Sequence, residues 1–137
     1  MMPRTFEERV DEELDGLYAG ALFLSHDDPA AAESLLVGSV VAAARRWAHQ
    51  PARPDLGRRL RAELARAALR PGDAGLGSHP ARVALWLVAV ERWSYADAAA
   101  VLGVERDVLR GLLSEQRAFM RDLWDRRGRP DVVGGVG

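Results

Sequence analysis

The sequence contains no cysteine and no lysine, and only 7% of its 137 residues are aromatic. The absence of cysteine excludes a disulfide framework and a thiolate metal site. The longest apolar run, from Leu35 to Ala44, is too short to span a bilayer, so we expect no membrane partner. The N-terminus is acidic and lacks the apolar stretch of a secretory signal. These features together predict a cytoplasmic protein.

The charges are nearly balanced overall but are segregated along the chain. The net charge is −1, and all 19 basic residues are arginines. Residues 1–35 contain nine acids and two arginines, whereas residues 45–70 contain eight arginines and two acids. Segregation of this kind predicts one surface that repels polyanions and another that could bind one.

Apolar residues recur at three- and four-residue steps through most of the chain, which predicts an all-α fold. Thr5 with Glu8, Asp28 before Pro29, and Ser94 before a short apolar segment are typical helix starts. We predict six helices: 5–24, 29–49, 55–70, 80–93, 95–102, and one from about residue 105.

Glycine and proline divide the predicted helices into two small helical domains. Residues 71–79 contain one proline and three glycines and predict a short linker between domains 1–70 and 80–127. Residues 128–137 contain four glycines and predict a disordered tail. About nine flexible residues span roughly 30 Å at most. A linker of this reach lets the two domains either pack as one compact unit or bind an elongated polyanion one at a time.

Residues 94–113 hold the most specific pattern, that of a helix-turn-helix. Ala99 supplies the small residue where two helices cross, Gly103 supplies the turn, and Leu109 plugs the corner. An ordinary helical hairpin with a glycine C-cap is the alternative.

The sixth helix would then be the recognition helix. Its candidate DNA contacts are Arg106, Arg110, Ser114, Arg117 and, further on, Arg121. Glu105, Asp107 and Glu115 are expected to share that surface and make it nearly neutral. The third helix adds Arg58, Arg59 and Arg66 as candidates, with Arg61 and Arg70 also expected on its outer surfaces.

Both halves of the chain resemble the extracytoplasmic-function group of RNA polymerase sigma factors. In the C-terminal half the resemblance rests on Ser94-Tyr95-Ala96-Asp97, Leu102-Gly103-Val104, Arg110 and Leu113, and in the N-terminal half on residues 13–47. It implies a three-helix region-2-like bundle followed by a region-4-like helix-turn-helix domain. It also implies a transcription regulator whose partners are RNA polymerase core and promoter DNA.

The resemblance places polymerase or partner contacts at Glu33, Ser34 and Val37. Ser34, Val37 and Gly38 stand where the family has polar docking residues, and residues 48–70 contain no aromatic side chain for base stacking. An alternative is therefore a non-enzymatic adaptor or decoy, bound for example by an anti-sigma factor. Trp93 is a further candidate partner contact, because it precedes the Ser94 cap and is expected to be partly exposed.

An enzyme is not indicated, and we expect neither a metal nor a cofactor. His26, His49 and His79 are isolated in predicted loops or at helix ends, and no glycine-rich phosphate loop precedes a helix. Trp47, Trp86 and Trp124 fall on apolar stripes, which predicts core positions for all three.

Overall fold

The computed structural model describes residues 5–50, 55–70 and 80–136, with side chains as far as residue 126 except those of Phe119 and Leu123. Every regular element in these residues is helical, as predicted. The elements are α1 (Phe6–Leu24), α2 (Pro29–Trp47), α3 (Leu56–Leu69), α4 (Pro80–Leu85), a π-helical segment (Trp86–Val90), α5 (Tyr95–Leu102) and α6 (Arg106–Val136). None of the described helices combines the length and apolarity needed to cross a bilayer.

The first two helices begin at the predicted caps. The Thr5 hydroxyl accepts from the Glu8 amide at 3.2 Å, and the Glu8 carboxylate accepts from the Thr5 amide at 3.3 Å. The Asp28 carboxylate accepts from the amide of Ala30 at 3.1 Å, directly before Pro29 opens α2. Both caps satisfy amides that the first helical turn leaves without a partner. The two helices pack against each other.

Helix α3 packs on both α1 and α2 and contributes the centre of the core. Leu56, Leu60 and Leu64 recur at four-residue steps and are buried on its inner face. Gly57 meets the Glu13 carboxylate of α1, which would lie 2.5 Å from a Cβ at this position. A larger residue here would have to push the Glu13 carboxylate aside.

The fourth predicted helix changes geometry before it ends. The α-helical part stops at Leu85, five π-helical residues follow, and the Glu91 amide donates to the carbonyl of Trp86 at 2.9 Å. The predicted end at Trp93 is wrong by several residues. Arg92 adopts a left-handed backbone conformation (φ 59°), which reverses the chain before α5.

The two halves of the chain share one hydrophobic core. Leu17 and Leu60 of the first half belong to the same buried cluster as Leu87 and Leu109 of the second half. The Trp86 side chain is 1% exposed and lies against Gly20 of α1. Of the two arrangements that a short linker permits, the structure has the compact one. The predicted linker, residues 71–79, lies outside the described residues.

Helix α6 is longer than the sequence indicated. Its backbone continues to Val136, whereas the glycine content of residues 128–137 predicted a disordered tail. Extending an existing helix adds one backbone hydrogen bond for each residue fixed, which is far easier than starting a helix. Elongation of α6 therefore outweighs the low helix propensity of these glycines.

Candidate nucleic-acid interface

Helices α5 and α6 meet at the predicted glycine turn. Gly103 has a φ of 70°, in the left-handed region that favours glycine, and the Val104 amide donates to the carbonyl of Ala99 at 3.0 Å. Ala99 and Leu109 are 4% and 0% exposed and belong to the same core. At the start of α5, the Ser94 hydroxyl accepts from the Asp97 amide at 3.1 Å.

Five polar side chains on α6 form one exposed row. Each residue of an α-helix is rotated by about 100° from the previous one, so these five positions fall within an arc of about 80°. All five side chains are exposed: Arg106, Arg110, Ser114, Arg117 and Arg121. We call this set the arginine row.

The acidic residues of α6 lie to one side of the arginine row. Glu115 and Asp122 are rotated by about 100° or more from its nearest arginine. Asp107 is at the row's edge, where its carboxylate lies 3.7 Å from the Arg110 guanidinium in an exposed pair. Of the acids expected on this surface, the helical rotation separates Glu115 from the row, whereas Asp107 borders it. Asp125, which is also exposed, borders the row one turn after Arg121.

The predicted DNA contacts on α3 are already engaged within the protein. Arg58 pairs with Asp97 of α5, and its guanidinium lies 4.1 Å from the ring centroid of Trp93. Arg59 pairs with Asp55 at 2.9 Å, and Arg66 pairs with Glu63 at 3.3 Å. The structure does not bring these three arginines together with the arginine row.

Arg61 is not on an outer surface, contrary to expectation. Its guanidinium lies between the two halves, 2.7 Å from the Glu13 carboxylate of α1 and 2.9 Å from that of Glu91. It also donates to the carbonyl of Gly57 at 3.0 Å. The burial of Arg61 lowers its pKa, but hydrogen bonds and charges from Glu13 and Glu91 outweigh that effect, and the pKa is raised above its usual range.

A second ion cluster joins α2 to α3. The Glu63 side chain is 1% exposed, and its carboxylate lies 2.9 Å from the Arg46 guanidinium and 3.3 Å from that of Arg66. The sequence pattern did not single out this buried acid. Glu63 lies on the apolar side of α3, three residues after Leu60 and four before Ala67. This spacing could have predicted its burial.

The four predicted partner contacts are in different environments. Glu33 and Ser34 are exposed on α2, and Val37 is 53% exposed on the same helix. Trp93 is 8% exposed, so the prediction that it is partly exposed is wrong. Trp93 directly follows Arg92, whose backbone is left-handed, and the Trp93 amide donates to the carbonyl of Leu87 at 2.9 Å.

The other three tryptophans differ in burial, although the apolar stripes predicted core positions for all of them. Trp86 is buried as predicted and Trp47 is half-buried, but Trp124 is 76% exposed. The prediction of a core position for Trp124 is wrong because α6 extends past the helices that could cover it. The consequence is an aromatic side chain in solvent next to the arginine row.

A shallow depression of about 320 Å³ lies between α3 and α5. Its lining includes the Arg58–Asp97 pair, Arg59 and Trp93, and its charged groups are engaged as described above. Within residues 5–50, 55–70 and 80–136, no three histidine or acidic side chains are grouped as metal ligands would be. The arginine row is the surface whose chemistry best suits a large anionic partner. Comparison of the chain with models of known protein families, with curated proteins and with solved structures yields no match.

Proposed function

We propose that this protein is a sigma-like transcription regulator that binds duplex DNA through α6. The observation that carries the proposal is the arginine row, which presents four exposed guanidinium groups on one side of a helix that follows a glycine turn. From Arg106 to Arg121 the row is about 22 Å long, at about 1.5 Å per residue. Guanidinium groups bind phosphates and guanine edges.

The first turn of α6 and the turns that follow it are proposed to have different roles. The recognition helices of helix-turn-helix proteins contact base edges mainly with their N-terminal residues. Arg106 and Arg110 are therefore proposed to contact bases or the nearest phosphates, with Ser114 and Arg117 on the adjoining backbone. The resemblance to sigma factors supports promoter DNA as the target and RNA polymerase core as a partner. It also supports the cytoplasm as the location.

Binding to a fluorescent duplex, measured by anisotropy at several salt concentrations, tests the proposal. Three or four phosphate contacts predict a slope of log affinity on log salt of roughly −3 to −4. The double variant Arg106→Ala/Arg110→Ala should weaken binding about tenfold or more at low salt. Arg45→Ala, which removes an exposed arginine of α2, is the matched control and should change affinity less than about twofold. Equal losses from both variants would contradict a role for the row.

A second candidate function is an adaptor or decoy that binds a protein through α2. It is favoured by Val37 and Val41, which are 53% and 42% exposed on one face of that helix next to Gly38. The engagement of Arg58, Arg59 and Arg66 in ion pairs also reduces the basic surface available to DNA. An anti-sigma factor or RNA polymerase core would be such a partner.

A pull-down with RNA polymerase core, with wild type and Val37→Asp side by side, separates the two functions. Binding that Val37→Asp abolishes, in a protein that shows no duplex binding, would favour the adaptor. Duplex binding that depends on Arg106 and Arg110 would favour the regulator.

A further inference from the structure

The apolar face of α6 continues beyond the helices that cover it. Leu109, Leu113 and Gln116 are 0%, 2% and 9% exposed, whereas Met120 and Trp124, the next residues along the same face, are 51% and 76% exposed. Their three- and four-residue spacing places all five on one side of the helix. This face is buried over its first half and is left uncovered over its second half within the described part of the chain.

The exposed end of this face has a basic border. Arg117 and Arg121 are exposed and lie three residues before Met120 and Trp124, respectively, so each is a neighbour on the helix surface. Acidic side chains opposite the two guanidinium groups would complement this border in a protein surface that covers Met120 and Trp124. Arg117 and Arg121 are four residues, or about 6 Å, apart along the axis.

The chain itself carries an acidic surface with the same spacing. Glu7, Asp11 and Asp15 are exposed on α1 at four-residue steps, and Asp11 and Asp15 have no ion-pair partner among the described residues. Ala19 follows at the next step of this row and is also exposed, so an apolar contact lies beside the carboxylates. The spacing of Asp11 and Asp15 equals that of Arg117 and Arg121, about 6 Å along the helix.

We propose that the outer half of α6 docks on α1 of a second copy of this chain. Arg117 and Arg121 would pair with Asp11 and Asp15, and Trp124 would cover the small residues that follow them. In a two-fold dimer the same contact occurs twice, because each copy gives its α6 to the other's α1. The net charge of −1 leaves little long-range repulsion to oppose self-association. This inference does not require DNA binding. Because Arg117 is also a proposed contact to the DNA backbone, the dimer and the duplex would compete for it.

Sedimentation velocity without DNA, over a range of protein concentrations, tests the proposal. We expect a monomer–dimer equilibrium that weakens on raising the salt from about 50 to about 500 mM, because the contact is partly ionic. Trp124→Ser should weaken the dimer about tenfold or more. Val41→Ser removes an exposed apolar side chain from α2 and should leave the equilibrium unchanged, as the matched control. Circular dichroism is the control that checks whether each variant remains helical.

Charge reversal identifies the two surfaces. Asp11→Arg/Asp15→Arg and Arg117→Glu/Arg121→Glu should each be monomeric alone, because both contacts then oppose like charges. Mixed in equal amounts, they should form a heterodimer. In one of its contacts the basic α1 of one variant meets the acidic α6 of the other, and the second contact keeps the native pairing of basic α6 with acidic α1. Arg45→Glu, which reverses an exposed charge on α2, should behave as wild type.

Three outcomes would overturn the proposal. One is a wild-type protein that stays monomeric at every concentration, as expected if a different acidic protein covers Trp124. Another is a dimer that Trp124→Ser and both reversals leave intact. The third is a failure of the two reversed variants to associate when mixed. Loss of duplex binding by Arg106→Ala/Arg110→Ala is a separate measurement, so failure of self-association and failure of the proposed function are distinguishable.

Discussion

Gly20 of α1 lies directly against the indole ring of Trp86. A Cβ at Gly20 would lie 2.6 Å from Cζ2 and 2.9 Å from Cε2 of that ring. The contact joins the first half of the chain to the second, since Trp86 begins the π-helical segment after α4. The close approach of the two halves therefore depends on the absence of a side chain at residue 20.

Gly20→Ala should destabilise the protein, although alanine is the better helix former. The added methyl group must displace a fully buried indole, which costs about 1–3 kcal/mol in a well-packed core. Gly38→Ala is the matched control, because Gly38 is also helical and has no atom within 4 Å of its Cβ position. That variant should gain about 0.5–1 kcal/mol. Urea denaturation of both proteins measures the difference, and a stabilised Gly20→Ala would contradict the packing described.

Arg61→Met should be one of the most destabilising single changes in α3. It leaves the carboxylates of Glu13 and Glu91, whose side chains are 22% and 18% exposed, without their shared cation. Removing one member of a largely buried ion cluster costs about 2–4 kcal/mol. Arg126→Met breaks the exposed Arg126–Asp122 pair and should change the unfolding free energy by less than about 0.5 kcal/mol. A loss below about 0.5 kcal/mol for Arg61→Met as well would contradict a structural role for the Arg61 cluster.

The contribution of Arg61 should not change across neutral and mildly alkaline pH. Desolvation lowers the pKa of Arg61, but Glu13 and Glu91 outweigh it, so the pKa is raised in the folded protein. A raised folded-state pKa gives stability that is fully present below the unfolded pKa and is lost only as the pH rises through the folded value. For arginine both values lie above the usual alkaline range. The stability difference between wild type and Arg61→Met should thus be constant from about pH 7 to about pH 9.

Gly103→Ala should weaken both the fold and the presentation of the arginine row. The residue has a φ of 70°, a conformation that costs an L-residue about 1–2 kcal/mol. Gly111→Ala, within α6 and with open space around its Cβ position, should instead stabilise the protein by about 1 kcal/mol. Thermal unfolding distinguishes the two. A Gly103→Ala protein as stable as wild type would show that the turn tolerates another conformation.

Arg59→Ala/Arg66→Ala should leave duplex affinity within about twofold of wild type, because those guanidinium groups are held by Asp55 and Glu63. Arg106→Ala/Arg110→Ala serves as the positive comparison in the same anisotropy measurement. A larger loss from the α3 variant would show that its ion pairs open to bind DNA, and would restore α3 to the interface that the sequence predicted.

Local sequence signals predicted the helical elements well. Thr5 with Glu8, Asp28 before Pro29, Ser94, and Gly103 each act within three or four residues of the chain, so their hydrogen bonds and backbone angles follow from neighbours alone. The same signals could not indicate that α4 ends in a π-helical segment. In that segment Trp86 and Leu87 are buried in a core that includes residues of the other half of the chain.

The sequence by itself determined that this chain is helical, where most helices begin, and that a glycine turn precedes α6. Only the tertiary structure decided which arginines remain available, since Arg58 and Arg61 pair with acids 30 or more positions away in the sequence. It also decided that Trp93 is buried and Trp124 is exposed, because burial depends on whether another element reaches a helix face. Hydrophobic periodicity marks which face is apolar, and long-range packing determines whether that face is covered.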